Sequence, residues 1–173
     1  MNRNNFEYVG EMNFRNKIDI SDPCYERDGY CNIIDYNISE GKYNCYIKYG
    51  EGYWDENRIA EIAIVKKGHI GVEDEENLWD FVDYIGVDAG LAGFFNHKIE
   101  YSDSAWSDFC NRLETGNGEQ WWVNFDNGFF SDSGWGDGSY AVYEYIHNNE
   151  VKGLKIVFIE KPEEYEPEEC EEE

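Results

Sequence analysis

The residues best suited to chemistry lie in one glycine-rich loop, Ser131–Ser139, which leads directly into an alternating apolar stretch. The loop contains three glycines at alternate positions, the carboxylates Asp132 and Asp137, and the indole of Trp135. Glycines tolerate positive φ and allow close backbone approach, and carboxylates between them can accept amide hydrogen bonds or hold a cation. This composition predicts an unusual backbone path or a ligand site.

A cation site is one interpretation of this region. Asp126, Asp132 and Asp137 offer the oxygen ligands that calcium and magnesium prefer. The spacing departs from an EF-hand loop, because Gly134 and Gly136 stand at the third and fifth positions and no glutamate closes the loop at the twelfth. The competing interpretation is that Asp137 bonds backbone amides in its own turn. We favour this second interpretation and predict no metal and no cofactor.

A catalytic interpretation needs a nucleophile or a base with a partner. His69, His97 and His147 stand in no recognisable nucleophile motif. Asp88 and Asp137 would form a carboxylate pair for glycoside or phosphate ester hydrolysis if their loops lay side by side. A carboxylate- or metal-dependent hydrolase is therefore one alternative function.

A non-catalytic binding site requires no nucleophile and no base. Exposed aromatic rings flanked by carboxylates can stack on a ligand and bond its polar groups. Trp121 and Trp122, if they lie in a strand, point to opposite faces, so at most one of them is buried in a two-layer fold. We predict a site for a small polar ligand, such as a sugar or a nucleotide, or for a basic protein partner. Its predicted residues are Asp88, Trp135, Asp137 and Tyr140.

Net charge excludes some partners. The formal charge is −24, and nine glutamates against one lysine in residues 160–173 leave −16 on residues 1–159. Such a surface repels nucleic acid and anionic membranes and attracts cations and basic protein surfaces. We therefore predict no direct nucleic-acid binding and no membrane binding. A second alternative function follows: an acidic mimic of nucleic acid, encoded by a phage or mobile element, that inhibits a basic DNA- or RNA-binding protein.

Length and composition predict one β-rich domain at 1–159 and an acidic, disordered tail at 160–173. Phe, Tyr and Trp make up 17% of the 173 residues, and aromatic cores suit strands. The five cysteines form no C-x-x-C pair, which favours reduced thiols over a disulfide framework or a zinc site. We see neither a membrane-spanning apolar run nor a signal peptide, so we expect a soluble, cytoplasmic protein.

Period-two alternation predicts several strands. Residues 32–38 and 42–49 flank a short turn that ends in Gly41, and they are predicted to pair as a hairpin. Residues 58–67 are apolar on both faces, which is typical of a central strand covered on both sides.

The end of the chain is predicted to form a last hairpin from residues 140–146 and 151–159. One amphipathic helix is predicted near 103–114. Its apolar residues at helical spacing are Trp106, Phe109, Cys110 and Leu113. The predicted fold class is mainly β (α+β): a twisted antiparallel β-sandwich or half-barrel with one helix across one side.

Three stretches of the chain are similar to motifs of an uncharacterised bacterial family. They are Ser21-Asp22-Pro23-Cys24-Tyr25, residues 86–95 and residues 133–143. On these motifs the chain resembles the domain-of-unknown-function 4241 family over roughly residues 17–159, although typical members are longer and carry a proline in place of Ala141. The resemblance implies a shared fold and a shared pair of loops, and it implies no activity.

Overall fold

The structure is a computed structural model that describes residues 6–50, 58–69, 78–96, 122–125 and 127–160. These residues form eleven strands. In chain order they are β1 Glu7–Phe14, β2 Lys17–Ser21, β3 Ile33–Asn37, β4 Gly41–Tyr49, β5 Ile59–Lys66, β6 Trp79–Val87, β7 Leu91–Phe95, β8 Trp122–Phe125, β9 Gly128–Asp132, β10 Gly138–His147 and β11 Glu150–Val157. No part of these described ranges is a helix long and apolar enough to cross a membrane.

The strands form two antiparallel sheets that pack face to face. The six-stranded sheet has the order β1-β4-β5-β11-β10-β6, and the five-stranded sheet has the order β3-β2-β7-β9-β8. Their inner faces share one core, in which Ile20 and Phe94 of the smaller sheet lie with Ile62 and Ile156 of the larger. Alternate residues of each strand enter this core because strand side chains point to opposite faces. The prediction of a mainly-β, antiparallel sandwich or half-barrel is confirmed.

Strand β5 is covered on both faces, as its sequence predicts. It lies between β4 and β11 in the larger sheet. Ile64 points into the shared core, whereas Ala63 and Val65 are buried on the outer face against Trp79 and Tyr145. This second apolar cluster explains why the strand lacks the polar face expected of a sheet open to water.

The last hairpin is confirmed as β10 and β11. Its two turn residues, Asn148 and Asn149, have φ values of 53° and 60°. Asparagine tolerates this left-handed region, and such a two-residue turn matches the twist of paired strands. The register shifts between Tyr145 and Ile146, so β11 carries a bulge near its start.

The predicted hairpin of residues 32–38 and 42–49 is wrong, although both strands exist. β3 pairs with β2 in the smaller sheet, and β4 pairs with β1 and β5 in the larger. The connecting residues Ile38 and Ser39 are buried, and their N–H groups donate to the carbonyls of Asn16 and Val151. A three-residue connection can close a hairpin or cross between sheets, and here these long-range bonds hold the crossing.

Several predictions fall outside the described residues. These are the helix near 103–114, the tail beyond Glu160, and the side chains of Trp121 and Trp122.

Candidate binding site on three converging loops

Two of the loops singled out in the sequence lie side by side. Val87 pairs with Gly138 in the larger sheet, and Leu91 pairs with Asp132 in the smaller. The β6–β7 loop, residues 88–90, therefore crosses between the sheets directly beside the β9–β10 loop, residues 133–137. The Ser133 N–H donates to the Gly90 carbonyl at 3.0 Å and ties the two loops together. Asp88 and Asp137 thus belong to one surface.

A third loop, residues 22–32 between β2 and β3, completes what we call the three-loop surface. Asp22 is fully buried, and its carboxylate accepts three backbone N–H groups, from Cys24 at 2.7 Å and from Asp88 and Ala89 at 2.8 Å each. The far end of the same loop returns to β6, where the Gly86 N–H donates to the Cys31 carbonyl at 2.8 Å. Hydrogen bonds from several N–H groups stabilise a buried carboxylate, so Asp22 holds the loop after β2 against the β6–β7 loop.

The sequence interpretation noted the stretch around Asp22 but did not single out this residue. The available signal was an aspartate at the end of an apolar strand, directly before Pro23. Aspartate in this position commonly bonds backbone amides of a turn, which the Asp22 to Cys24 bond does. Its bonds to residues 88 and 89 join loops that are 66 residues apart in the chain, and no local pattern predicts that distance.

The glycine-rich loop follows an unusual backbone path, as predicted. Gly134 and Gly136 have φ values of 67° and 97°. A Cβ at Gly134 would stand 2.9 Å from the Ile59 carbonyl oxygen, so the close approach also requires glycine. The Gly136 carbonyl accepts the hydroxyls of Ser133 at 2.6 Å and Tyr140 at 2.7 Å. These two hydroxyls hold the turn, whereas Asp137 makes no hydrogen bond to another described residue.

The four predicted site residues separate into two groups. Asp88 and Asp137 are exposed and Trp135 is 50% exposed, so these three side chains face solvent. Tyr140 is buried, and its ring packs edge-to-face on Phe158 at 5.2 Å between centroids. Tyr140 therefore stabilises the loop from the protein interior, through its bond to the Gly136 carbonyl, and does not form part of the exposed surface.

Arg58 fixes the orientation of Trp135. Its guanidinium lies 4.9 Å from the centre of the indole ring and donates to the Gly134 carbonyl at 2.7 Å. A guanidinium over an indole face is a favourable cation–π arrangement. The indole is thus held in a fixed orientation on the β9–β10 loop, and half of its surface stays accessible to a partner.

Tyr25 lies among the acidic groups of the site. Burial raises its pKa, and the negative charges of Asp88, Asp22 and Asp137 raise it further. The phenol therefore stays protonated and can donate a hydrogen bond at neutral pH. The surface as a whole presents two carboxylates, an indole and a phenol, a set suited to a cationic and polar ligand.

The structure places the other candidate ligands elsewhere. No three histidine, cysteine, aspartate or glutamate side chains of the described residues are grouped so that they could hold a metal ion, and Asp126 lies outside those residues. Cys45 is buried in the core, where burial raises the pKa of its thiol to about 12. His69 and His147 lie together near the far end of β10, and His97 is outside the described residues.

Comparison with known proteins identifies no relative. No family model, no curated protein and no solved structure matches this chain. The resemblance of its three motifs to the domain-of-unknown-function 4241 family stays a prediction.

Proposed function

We propose that this protein is a non-catalytic binding protein whose three-loop surface takes a basic segment of a partner protein. The observation that supports this most directly is the position of Asp88 and Asp137. Both carboxylates are exposed on adjoining loops, and neither forms an ion pair with another described residue. A lysine or arginine side chain can neutralise such groups while its apolar stem lies along the half-exposed indole of Trp135.

The rigidity of the surface supports binding. Asp22 fixes the β6–β7 loop through two N–H bonds, and Ser133 and Tyr140 fix the β9–β10 loop through the Gly136 carbonyl. A site that is already ordered loses little conformational entropy when a ligand binds. At low ionic strength, the net charge of −24 adds attraction for any basic partner.

The described parts of the site do not favour catalysis. The Ser133 hydroxyl is buried and donates to the Gly136 carbonyl, so it faces no base. His69 and His147 lie near the other end of β10, which is ten residues long, or roughly 30 Å along the strand. A hydrolase would need a base or metal from outside these loops.

A titration of peptides tests the proposal. The probes are an arginine-rich peptide, a lysine-rich peptide and a glutamate-rich peptide of equal length, measured by isothermal titration calorimetry. We expect the basic peptides alone to bind, and Trp135→Ala and Asp137→Asn each to weaken binding about tenfold. Glu7→Gln is the matched control, because Glu7 is an exposed carboxylate on β1, at the opposite edge of the larger sheet from β6.

The outcomes separate the alternatives. Equal losses in Asp137→Asn and Glu7→Gln would overturn the three-loop site and favour the acidic nucleic-acid mimic, for which binding falls steeply with salt and does not depend on Trp135. If the peptides fail and a sugar or nucleotide raises the melting temperature in an Asp137-dependent way, the ligand is a small polar molecule. Removal of residues 160–173 should leave binding at the three loops unchanged.

One observation favours the mimic as the second candidate. The paired cations of the described surface include Lys42 and Lys67, both with Glu11, and Lys48 with Glu61. Each pair also occupies a carboxylate, but acidic residues outnumber basic ones by 38 to 14 in the chain, so negative charge dominates the surface potential.

A further inference from the structure

A second polar cluster lies at the far end of β10 from the three loops, and it is cationic. The hydroxyl oxygen of Ser39 accepts hydrogen bonds from two ammonium groups, Lys66 Nζ at 2.6 Å and Lys152 Nζ at 2.9 Å. The two nitrogens can be no further apart than the sum of these distances. In a chain with 38 acidic and 14 basic residues, two lysines that meet at one serine require an explanation.

A specific feature of the fold holds each of these three residues in place. Ser39 is 6% exposed in the crossing from β3 to β4. Lys152 is 8% exposed and is the extra residue of the bulge in β11, because Tyr145 pairs with Gly153 while Ile146 pairs with Val151. A bulge redirects a side chain, and here it coincides with a lysine that is turned into the protein.

The lack of a side chain at Gly41 makes room for the side chain of Lys66. A Cβ added to Gly41 would stand 3.0 Å from Lys66 Cε, so glycine leaves the space that the lysine stem fills. The Lys66 ammonium group donates to the carbonyl of Glu40 at 2.8 Å as well as to Ser39. Lys66 itself is partly exposed, so solvent can reach the cluster from its side.

Two histidines form the rim of the cluster. The rings of His69 and His147 lie 5.4 Å apart between centroids. Burial lowers the pKa of His69, and the positive charges of Lys152, His147 and Lys66 lower it further. The backbone places both rings near the lysines, because the His69 N–H donates to the Lys66 carbonyl at 3.1 Å and His147 pairs with Glu150, two residues before Lys152.

The charges of the cluster are not balanced. The carboxylate of Glu150 pairs with Lys152 at 2.6 Å and is 58% exposed, and no second carboxylate among the described residues pairs with Lys66. The Ser39 hydroxyl accepts from both lysines, and its own hydrogen has no acceptor among the described residues. Two neighbouring ammonium groups repel each other, and the single carboxylate of Glu150 balances only one of the two positive charges, so a second anion would stabilise the arrangement.

We propose that Ser39, Lys66 and Lys152, with His69 and His147 at the rim, form a binding site for a phosphate group. The cluster offers hydrogen-bond donors, which phosphate oxygens accept, and its two ammonium groups against the one carboxylate of Glu150 leave a net positive charge that attracts an anion. The net negative charge of the chain does not prevent this, because exposed charges are screened beyond about 8 Å at physiological ionic strength. This site is independent of the proposed three-loop function, since the two lie at opposite ends of β10.

The test is a titration of the full chain with inorganic phosphate, followed by proton NMR of the histidine rings near neutral pH. The chain contains three histidines, so His→Gln variants assign each signal. We expect phosphate to move the His69 and His147 signals along saturable curves with one common dissociation constant. Sulfate should compete for the same site, and acetate, with one charge, should bind more weakly.

Lys66→Met and Lys67→Met provide a matched pair of variants. They remove equal charge from adjacent residues, but Lys67 is 56% exposed and pairs with Glu11 instead of Ser39. We expect Lys66→Met to weaken phosphate binding at least about tenfold, the loss typical of one charge-assisted hydrogen bond, and Lys67→Met to leave it within about twofold. Ser39→Ala should also weaken it.

Three results would overturn the proposal: no saturable shift of either histidine signal, equal losses in the two lysine variants, or equal affinity for acetate and phosphate. Thermal unfolding provides an independent measurement in case a variant is less stable. At one phosphate concentration, phosphate should raise the melting temperature of the wild type and of Lys67→Met by similar amounts through mass action, and it should raise that of Lys66→Met by less. A failure of basic peptides to bind the three loops would leave these expectations unchanged.

Discussion

Asp22 Oδ2 accepts the backbone N–H of Asp88 at 2.8 Å, from a side chain that has no exposed surface. One buried carboxylate therefore determines where a second, exposed carboxylate stands. The two aspartates differ in role because their surroundings differ: Asp22 bonds the backbone of two loops, and Asp88 faces solvent.

Replacement of Asp22 should destabilise the fold. Asp22→Ala removes the acceptor of three part-buried N–H hydrogen bonds, each worth about 1 kcal/mol, so we expect a loss of about 2–4 kcal/mol in the free energy of unfolding. Asp22→Asn keeps one acceptor oxygen and should lower the free energy of unfolding by less. Urea unfolding measures both, with Asp88→Asn as a control that stays within about 0.5 kcal/mol. A midpoint for Asp22→Ala equal to that of the control would show that the three bonds do not stabilise the protein.

Stability should fall in alkaline solution because of a tyrosine that links the two sheets. The Tyr36 hydroxyl on β3 donates to the Glu144 carboxylate on β10. Burial raises the Tyr36 pKa, as do the hydrogen bond and charge of Glu144, so the folded pKa lies above the unfolded value of about 10. The folded state then holds this proton more tightly. Its contribution is complete below pH of about 10 and is lost as the pH rises towards the folded pKa.

The measurement is urea unfolding at several values between pH 8 and pH 11. Tyr36→Phe should lower stability by about 1 kcal/mol at pH 8 and make its decline above pH 10 shallower. Tyr43 should contribute in the same direction, because burial and the charge of Glu150 raise its pKa. Tyr30→Phe is the control, since Tyr30 is 89% exposed. An unchanged decline in Tyr36→Phe would contradict the assignment.

Two glycines should differ sharply in their tolerance of alanine. A Cβ at Gly93 would lie 2.2 Å from the Phe129 carbonyl oxygen and 2.4 Å from Phe130 Cβ, on a paired strand that cannot move away. A Cβ at Gly136 would meet nothing within 4 Å, so only the φ of 97° opposes it. By thermal unfolding, we expect Gly136→Ala to cost about 1–3 kcal/mol through backbone strain, and Gly93→Ala to cost more or to prevent folding. Equal losses would contradict this explanation.

Much of the fold could be predicted because strand patterns are local. Tyr43, Cys45 and Ile47 alternate in the sequence and share one buried face in β4, and the turn of Asn148 and Asn149 follows from two residues that tolerate positive φ. The pairing of β3 with β4 was predicted wrongly for a physical reason. A short connection with glycine is compatible with a hairpin and with a crossing, and the choice depends on which distant strands supply hydrogen bonds.

The candidate site shows the same division. The types of Asp88, Trp135 and Asp137 single them out in the sequence, and in the structure all three are exposed on two adjoining loops. The sequence predicts Tyr140 as a ligand-binding residue, whereas in the structure it is buried and stabilises the loop. Alternation alone does not distinguish an exposed face of a strand from a covered one. The cluster at Ser39 was missed since its two lysines come from positions 66 and 152, each unremarkable in its own segment.

The acidity, the β-rich class, most strand positions and the residue types of the glycine loop follow from the amino-acid sequence alone. These properties depend on composition and on neighbours a few positions apart. The pairing of the strands, the meeting of three loops near Asp22 and the meeting of two lysines at Ser39 arise only in the folded chain. Such contacts form between residues far apart in the chain, where burial and hydrogen bonding of the whole sandwich, and no local preference, select the partner.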